Sequence, residues 1–264
     1  QALFQCTGGT ATMSVAGNGS TNLTYQWQEA AAAAGPWTNT GTSQNTLAPN
    51  AATVGVRYYR AIIASAGGLC RDTSSAAPAT TAANLAIATQ PQGIDGCIGG
   101  QLTLSSAATG GIAPILQWQS ATTATGPWTN INGANQPNYN PPLLNSGTTY
   151  YRMTVTSAGS GCAAANSDAA RVLLHPKVDV ITQPQNIDQC VGGTAALTAT
   201  ATGGTALTYQ WQSSANGQSW QNVTGATAAS YTPPSAQNGT TRRYRLVVRD
   251  ALAGCGSDTS SAAI

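Results

Sequence analysis

Six cysteines are the most reactive side chains in this 264-residue sequence, and they are regularly placed. Cys6, Cys97 and Cys190 each stand just before a Gly-Gly pair, one position intervening, and Cys70, Cys162 and Cys255 follow them at a nearly constant distance. An even count at regular spacing, in a chain poor in other stabilising chemistry, reads as disulfides and hence as an oxidising, extracellular or cell-surface setting. Little else can do chemistry. His175 is the only histidine and falls between two repeated segments, so no Ser-His-Asp or Cys-His arrangement can recur or be cradled by a domain. The eight acids, Glu29, Asp72, Asp95, Asp168, Asp179, Asp188, Asp250 and Asp258, are scattered and form no Asp-x-Asp-x-Asp calcium loop. A carboxylate pair for glycosidase chemistry would have to arise through folding. Lys177 is the sole lysine, so self-formed lysine-asparagine crosslinks cannot stabilise every domain. The expectation is a protein with no catalytic residue, no metal site and no cofactor, and thus no enzyme.

Charged residues make up 7% of the chain, against roughly 25% in an average domain. Net charge is +2, with Arg242, Arg243, Arg245 and Arg249 the only close group of cations, so no electrostatic footprint for nucleic acid is present. No apolar run is as long as a membrane span, which needs about 18 residues or more, and no basic amphipathic helix suggests surface docking. A positively charged start followed by an apolar core is also lacking, so an export signal is expected to have been removed or to lie outside this stretch. Weak self-repulsion favours association of like chains.

The elements that must hold the cysteines are three copies of one unit. Cys6, Cys97 and Cys190 each precede a tryptophan by one identical interval, in Gln26-Trp27-Gln28, Gln117-Trp118-Gln119 and Gln210-Trp211-Gln212. A second tryptophan, Trp37, Trp128 or Trp220, follows shortly afterwards. Then comes Tyr59-Arg60, Tyr151-Arg152 or Tyr244-Arg245, and from each tyrosine to the second cysteine of its copy the interval is again the same. A period of roughly 90 residues is too long for a solenoid repeat and suits a small sandwich domain of about 100 residues. Apolar residues alternate with period two, as in Leu102, Leu104, Ser106 and Tyr151, Met153, Val155, in short runs bounded by Gly, Pro and Asn; that is strand patterning. Ala30 to Ala34 alone suggests a helix, but the equivalent Ser120-Ala121-Thr122-Thr123-Ala124 does not, so a loop is expected. The boundaries read 1–84, 85–176 and 177–264.

The order of Gly, alternating apolar residues, Trp, then Asn-Gly or Ser-Gly before Tyr resembles immunoglobulin-like domains. With Cys before Gly-Gly, a second Cys at the start of strand G, and the Tyr-Gln-Trp-Gln and Gly-Pro-Trp-Thr-Asn phrases, it is similar to the tandem immunoglobulin-like repeats of secreted surface, adhesin or filament proteins of Bacteroidota. The resemblance implies an all-β fold of three tandem β-sandwich domains in an elongated rod. It makes Trp27, Trp118 and Trp211 the core tryptophans of strand C, and Tyr59, Tyr151 and Tyr244 the corner tyrosines of strand F. The inter-sheet disulfide positions of antibody domains hold Val15 with Ala61, Ser106 with Met153, and Ala199 with Leu246, so packing must close the core.

The simplest cysteine pairing, and the favoured one, is within each copy: Cys6 with Cys70, Cys97 with Cys162, Cys190 with Cys255. A loop of that length contributes ~4 kcal/mol by chain entropy. The objection is that immunoglobulin topology tends to put the two at opposite ends of a domain. The alternative joins neighbours, Cys6 with Cys162 and Cys97 with Cys255, and leaves Cys70 and Cys190 free to bridge adjoining chains. Copies two and three have matching lead-ins, Ile87-Ala88-Thr89-Gln90-Pro91-Gln92 and Ile181-Thr182-Gln183-Pro184-Gln185, that look like strand A. Copy one lacks this strand and the last strand of copy three reads as cut short, so either a longer array or strand addition from a neighbour completes them. Trp37, Trp128 and Trp220 form either a glycan-stacking ladder or, as favoured, packing within each domain. Asn18, Asn22, Asn222 and Asn238 begin glycosylation sequons of the kind common by chance in Thr-rich sequence. The expected role is a non-enzymatic extracellular module of a fibre, self-associating or joined to neighbouring repeats. The alternatives are an adhesin or carbohydrate-binding array, or accessory domains of a larger secreted enzyme.

Overall fold

The computed structural model describes residues 1–18, 22–41, 43–68, 70–235, 241–251 and 255–264; Asn238 lies outside them. All of the regular structure among these residues is β. The second domain displays the plan most fully. One sheet takes the order Ile94–Cys97, Ala170–His175, Gly147–Thr156, Ile115–Ala121 and Thr129–Asn130. Its first pair is parallel and the rest are antiparallel. Opposite it stand two short antiparallel pairs, Ala86–Thr89 with Ala107–Thr109 and Leu104–Ser105 with Asn138–Tyr139. This is the immunoglobulin-like sandwich. The first domain repeats the larger sheet, from Leu3–Cys6 across to Thr38–Thr40. The third repeats its centre, Leu207–Ser214 against Arg243–Asp250.

Each domain closes around one indole. Trp27, Trp118 and Trp211 are at most 3% exposed and sit in three separate apolar clusters, among them Met13 and Leu47, Leu104 and Met153, and Leu197 and Leu246. The Gln-Trp-Gln phrase is thereby explained. Every indole N–H donates to a backbone carbonyl, that of Gln44, Gln136 or Ala228, at 2.8 to 3.0 Å, which satisfies the one polar atom that burial would penalise. The glutamine before it turns back, and its Nε2 donates to the tryptophan's own carbonyl. Tyr59, Tyr151 and Tyr244 are buried behind the indoles, and Tyr139 and Tyr231 lie between tryptophan and tyrosine at 5.6 to 6.0 Å. Of the positions left without an antibody-type disulfide, Ala61, Met153 and Leu246 are 0% exposed, Ser106 and Ala199 are buried, and Val15 is half-buried. Ala31–Ala34 is a loop, as the second copy implies, while Ala30, expected in that loop, is the last residue of the strand Leu23–Ala30.

The sandwiches are strung out. Accessible surface is 14693 Å² for 26.6 kDa, whereas a compact monomer of that mass exposes roughly 10,700 Å².

Burial raises the hydroxyl pKa of Tyr59, Tyr139, Tyr151, Tyr231 and Tyr244 above its ordinary value of 10.0, and the Glu29 carboxylate adds to the effect at Tyr59. A folded pKa above the unfolded one favours the protonated ring in the fold. The resulting stability is fully present below pH 10 and is lost as pH climbs through the folded values. The thermal midpoint, followed by circular dichroism, is therefore expected to hold steady up to about pH 9 and then fall; a midpoint that rises with alkali would contradict the burial of these rings.

Candidate functional site

The cysteines do not pair within copies. Cys6 is bonded to Cys162 and Cys97 to Cys255, with Cα atoms 5.0 and 4.9 Å apart, while Cys70 and Cys190 are free thiols exposed to solvent. The favoured within-copy pairing is thus corrected, for a geometric reason. Cys6 pairs in register with Ala82, next to the Thr81 that pairs with Gly55. Cys70, whose carbonyl accepts from Ser65 N–H at 2.9 Å, lies at the far end of the same strand, Gly55–Ser65. Ten steps of extended chain separate the two ends by roughly 33 Å, well beyond the ~7 Å that a disulfide spans. The first cysteine of each copy sits where the chain leaves the domain, and the second sits where it enters.

Each joint is a built contact. At the first, Cys6 N–H donates to Ser160 O at 2.9 Å, and Ser160 N–H donates back to Phe4 O at 3.1 Å. The hairpin tip of one domain thereby pairs with the edge strand of the domain before it. Gln5 and Cys6 are completely buried. Gly9 and Gly161 meet backbone to backbone; a Cβ on Gly161 would come within 2.6 Å of the Gly9 Cα. At the second joint Val178 N–H donates to Cys255 O at 3.2 Å, and Cys97 and Cys255 are at most 2% exposed.

A further element escapes the sequence reading. Gly110-Gly111 and Gly203-Gly204, all at positive φ, clasp the linkers: Gly111 N–H donates to Ala83 O and Gly204 N–H to Pro176 O, each at 2.8 Å. A Cβ on Gly110 or Gly203 would run into the carbonyl of Asn84 or Lys177. The available signal is the Thr-Gly-Gly phrase shared by copies two and three. It is muted because copy one reads Asn18-Gly19-Ser20.

The second tryptophans carry a guanidinium. Arg60, Arg152 and Arg245 lie 4.3 to 4.5 Å over the rings of Trp37, Trp128 and Trp220. The same arginines donate from Nε to Gln28, Gln119 and Gln212, whose Nε2 atoms donate to Asn39, Asn130 and Asn222. One face of each ring is therefore covered by its own domain, a cation–π contact of ~0.5–1 kcal/mol at such half-exposed sites. Several acids serve the fold. Asp250 accepts from Thr205 and Ala206 backbone N–H at the second joint, Asp258 from Val180 N–H, and Asp95 pairs with Arg171 at 2.8 Å. Asp250 also lies beside Cys97 and Cys255, but sulfurs bonded to one another offer no thiolate to a metal. His175, expected between repeats, is the last residue of a strand, in register with Cys97. No helix among the described residues is long and apolar enough to cross a membrane.

Gly203→Ala should loosen the second joint while leaving the sandwiches folded, because the added methyl strikes linker backbone at a left-handed position. The expected outcome is faster amide exchange at Gly204 and Val178 with exchange in the Trp211 core unchanged. Unaltered exchange at the joint would remove the clasp from the account.

The fold has distant counterparts. The I-band fragment I67-I69 from titin aligns over 99% of this chain and 94% of its own, at 12% identity and a TM-score of 0.61. The three N-terminal domains of the highly immunogenic outer capsid protein (Hoc) of bacteriophage RB49 align over 99% and 94%, at 14% identity and a TM-score of 0.50. Such identities speak for the fold alone. Endoglucanase C of Cellulomonas fimi is 26% identical over 196 residues, which is 73% of this chain but 17% of that protein, so the chain spans about a sixth of its length. A family model described as a domain of unknown function (DUF8696) matches residues 86–176 and again 180–264, about two thirds of the chain, and the chain belongs to that family.

Proposed function

We propose that the chain is a non-enzymatic extracellular rod segment whose task is to hold a fixed length and direction, as part of a surface fibre or filament. The observation that carries this reading is the use of both disulfides across joints. A bridge inside a sandwich would stabilise that sandwich. A bridge between sandwiches adds little to either core and instead removes the bending and twisting that a linker as short as Ala83–Leu85 still permits. The backbone pairing at Ser160 and the Gly-Gly clasps act in the same direction. Disulfides also require an oxidising compartment, which supports an extracellular location.

A second reading has one observation in its favour. The similarity to part of Endoglucanase C suits an accessory array that spaces the working parts of a secreted glycan-degrading protein. Stiff spacing is common to both readings, so the test begins there. Small-angle scattering of the oxidised chain should give one narrow distribution of interatomic distances. Selective reduction of the two bridges should broaden it and lower the mean maximum dimension while circular dichroism stays unchanged. An identical distribution after reduction would contradict the joint-locking role. Titration of tryptophan fluorescence with soluble β-glucans separates the two readings: the rod reading predicts no shift, and a saturable shift favours the accessory array.

A further inference from the structure

The clustered arginines of the sequence take a definite place in the third domain. Arg243–Asp250 is an inner strand of its larger sheet, paired on one side with Leu207–Ser214 and on the other with Ser257–Thr259 and, at Tyr244, with Ala263. Tyr244, Leu246 and Val248 belong to the core, so the alternate residues Arg243, Arg245, Val247 and Arg249 lie on the outer face. Arg242 falls out of phase. Three guanidinium groups thus share one sheet face, with the Cα atoms of Arg245 and Arg249 roughly 7 and 20 Å along the strand from that of Arg243. The bridged joints lie at the ends of the sandwiches, which leaves this lateral face open. Where Arg243 and Arg249 stand, the first domain has Tyr58 and Ala64 and the second Tyr150 and Thr156. The fold itself therefore does not call for the extra charges.

Like charges on one face repel one another and cost stability unless something offsets them. No carboxylate of the chain does so here: the ion pairs among the described residues join Arg57 to Glu29 and Arg171 to Asp95. Of the acids in the third domain, Asp250 accepts from Thr205 and Ala206 N–H, Asp258 from Val180 N–H, and Asp179 is in the opposite sheet. Asp188 lies past the far edge, next to Ile187, whose N–H donates to Ile264 O. Two of the three arginines are also held in place. Arg245 lies 4.3 Å over the Trp220 ring and donates from Nε to Gln212 Oε1 at 2.8 Å, and the stem of Arg243 runs past Gly217, where a Cβ would come within 3.1 Å of its Cδ. A guanidinium fixed in this way loses little freedom on meeting a carboxylate, which it takes through two parallel hydrogen bonds. Around the arginines stand neutral hydroxyl and amide groups, Thr208, Gln212, Ser257 and Thr259, which can exchange hydrogen bonds with sugar hydroxyls. We propose that this face binds a linear acidic polysaccharide, with uronate carboxylates seated on Arg243, Arg245 and Arg249. Single-stranded nucleic acid fits less well, because it needs open ring faces for its bases and Arg245 takes one face of Trp220. The inference goes beyond the rod reading and is independent of how stiff the array is.

The test uses the intact chain with both bridges formed, at low salt, and polygalacturonate as the probe. Calorimetric titration should show saturable binding, and amide exchange should slow at 208–212 and 243–249 but not on the matching strands of the other two domains. Replacing both Arg243→Gln and Arg249→Gln should weaken binding at least about tenfold, the loss of two charge-assisted contacts. Arg249→Gln alone, a change at an exposed position that leaves the core untouched, should weaken it about threefold. Arg152→Gln removes the same charge from the second domain and should alter binding less than about twofold, since it lies outside the arginine row. Fully methyl-esterified polygalacturonate keeps the sugar chain, loses the charge and should not bind. Absence of saturable binding, equal affinity of the double variant or of the ester, or tighter binding of single-stranded DNA of the same charge would each overturn the assignment. The rod reading is tested by scattering and by neutral β-glucans, so neither result decides the other.

Discussion

The length of one extended strand organises this molecule. Gly55–Ser65 and its counterpart Gly147–Thr156 run the full height of their sandwiches, and the two cysteines of a copy sit at opposite ends of that height. A disulfide reaches only a few ångströms between Cα atoms, so a cysteine at the exit of a domain can bond only with something that lies beyond it. The repeat provides that partner, since the entrance of each following domain carries the other cysteine. A fixed strand length and a fixed repeat thus convert six cysteines into two rivets and two exposed ends.

Around each rivet the sequence removes side chains where backbones must meet. Gly9 against Gly161, and the Gly-Gly pairs against the linkers, allow main-chain hydrogen bonds to cross the joint. Those bonds orient what the disulfide merely tethers. The domain cores need no help from the sulfurs: each encloses a tryptophan whose only polar atom is satisfied by backbone. Stability within domains and rigidity between them are therefore supplied by separate chemistry. That separation lets the joint be loosened without unfolding the beads it connects.

Much of this is legible in the residues. The period, the strand patterning and the three core tryptophans can be read because buried aromatic groups and alternation leave local marks in sequence. The cysteine map cannot be read so directly. Within-copy spacing makes the short pairing attractive, and only the direction of the strands, a three-dimensional fact, decides that Cys6 faces Cys162. Immunoglobulin topology argues against the short pairing, yet distance along the chain carries no strand direction to weigh beside it. The second tryptophans are ambiguous for a similar reason. Nothing in the spacing of Trp37 and Arg60 says that the guanidinium lies on the ring, whereas the cross-strand register of Gln28 with both Arg60 and Asn39 makes it so. The linker clasp stays hidden because a glycine pair reads as an ordinary turn until its neighbour is known.

The central claim is that the sulfur bonds run between domains, and peptide mapping of the unreduced protein tests it most directly. Digestion without reductant, with free thiols blocked beforehand, should release fragments joining Cys6 to Cys162 and Cys97 to Cys255, with Cys70 and Cys190 carrying the blocking group. Fragments joining Cys6 to Cys70 or Cys97 to Cys162 would contradict the account at its base.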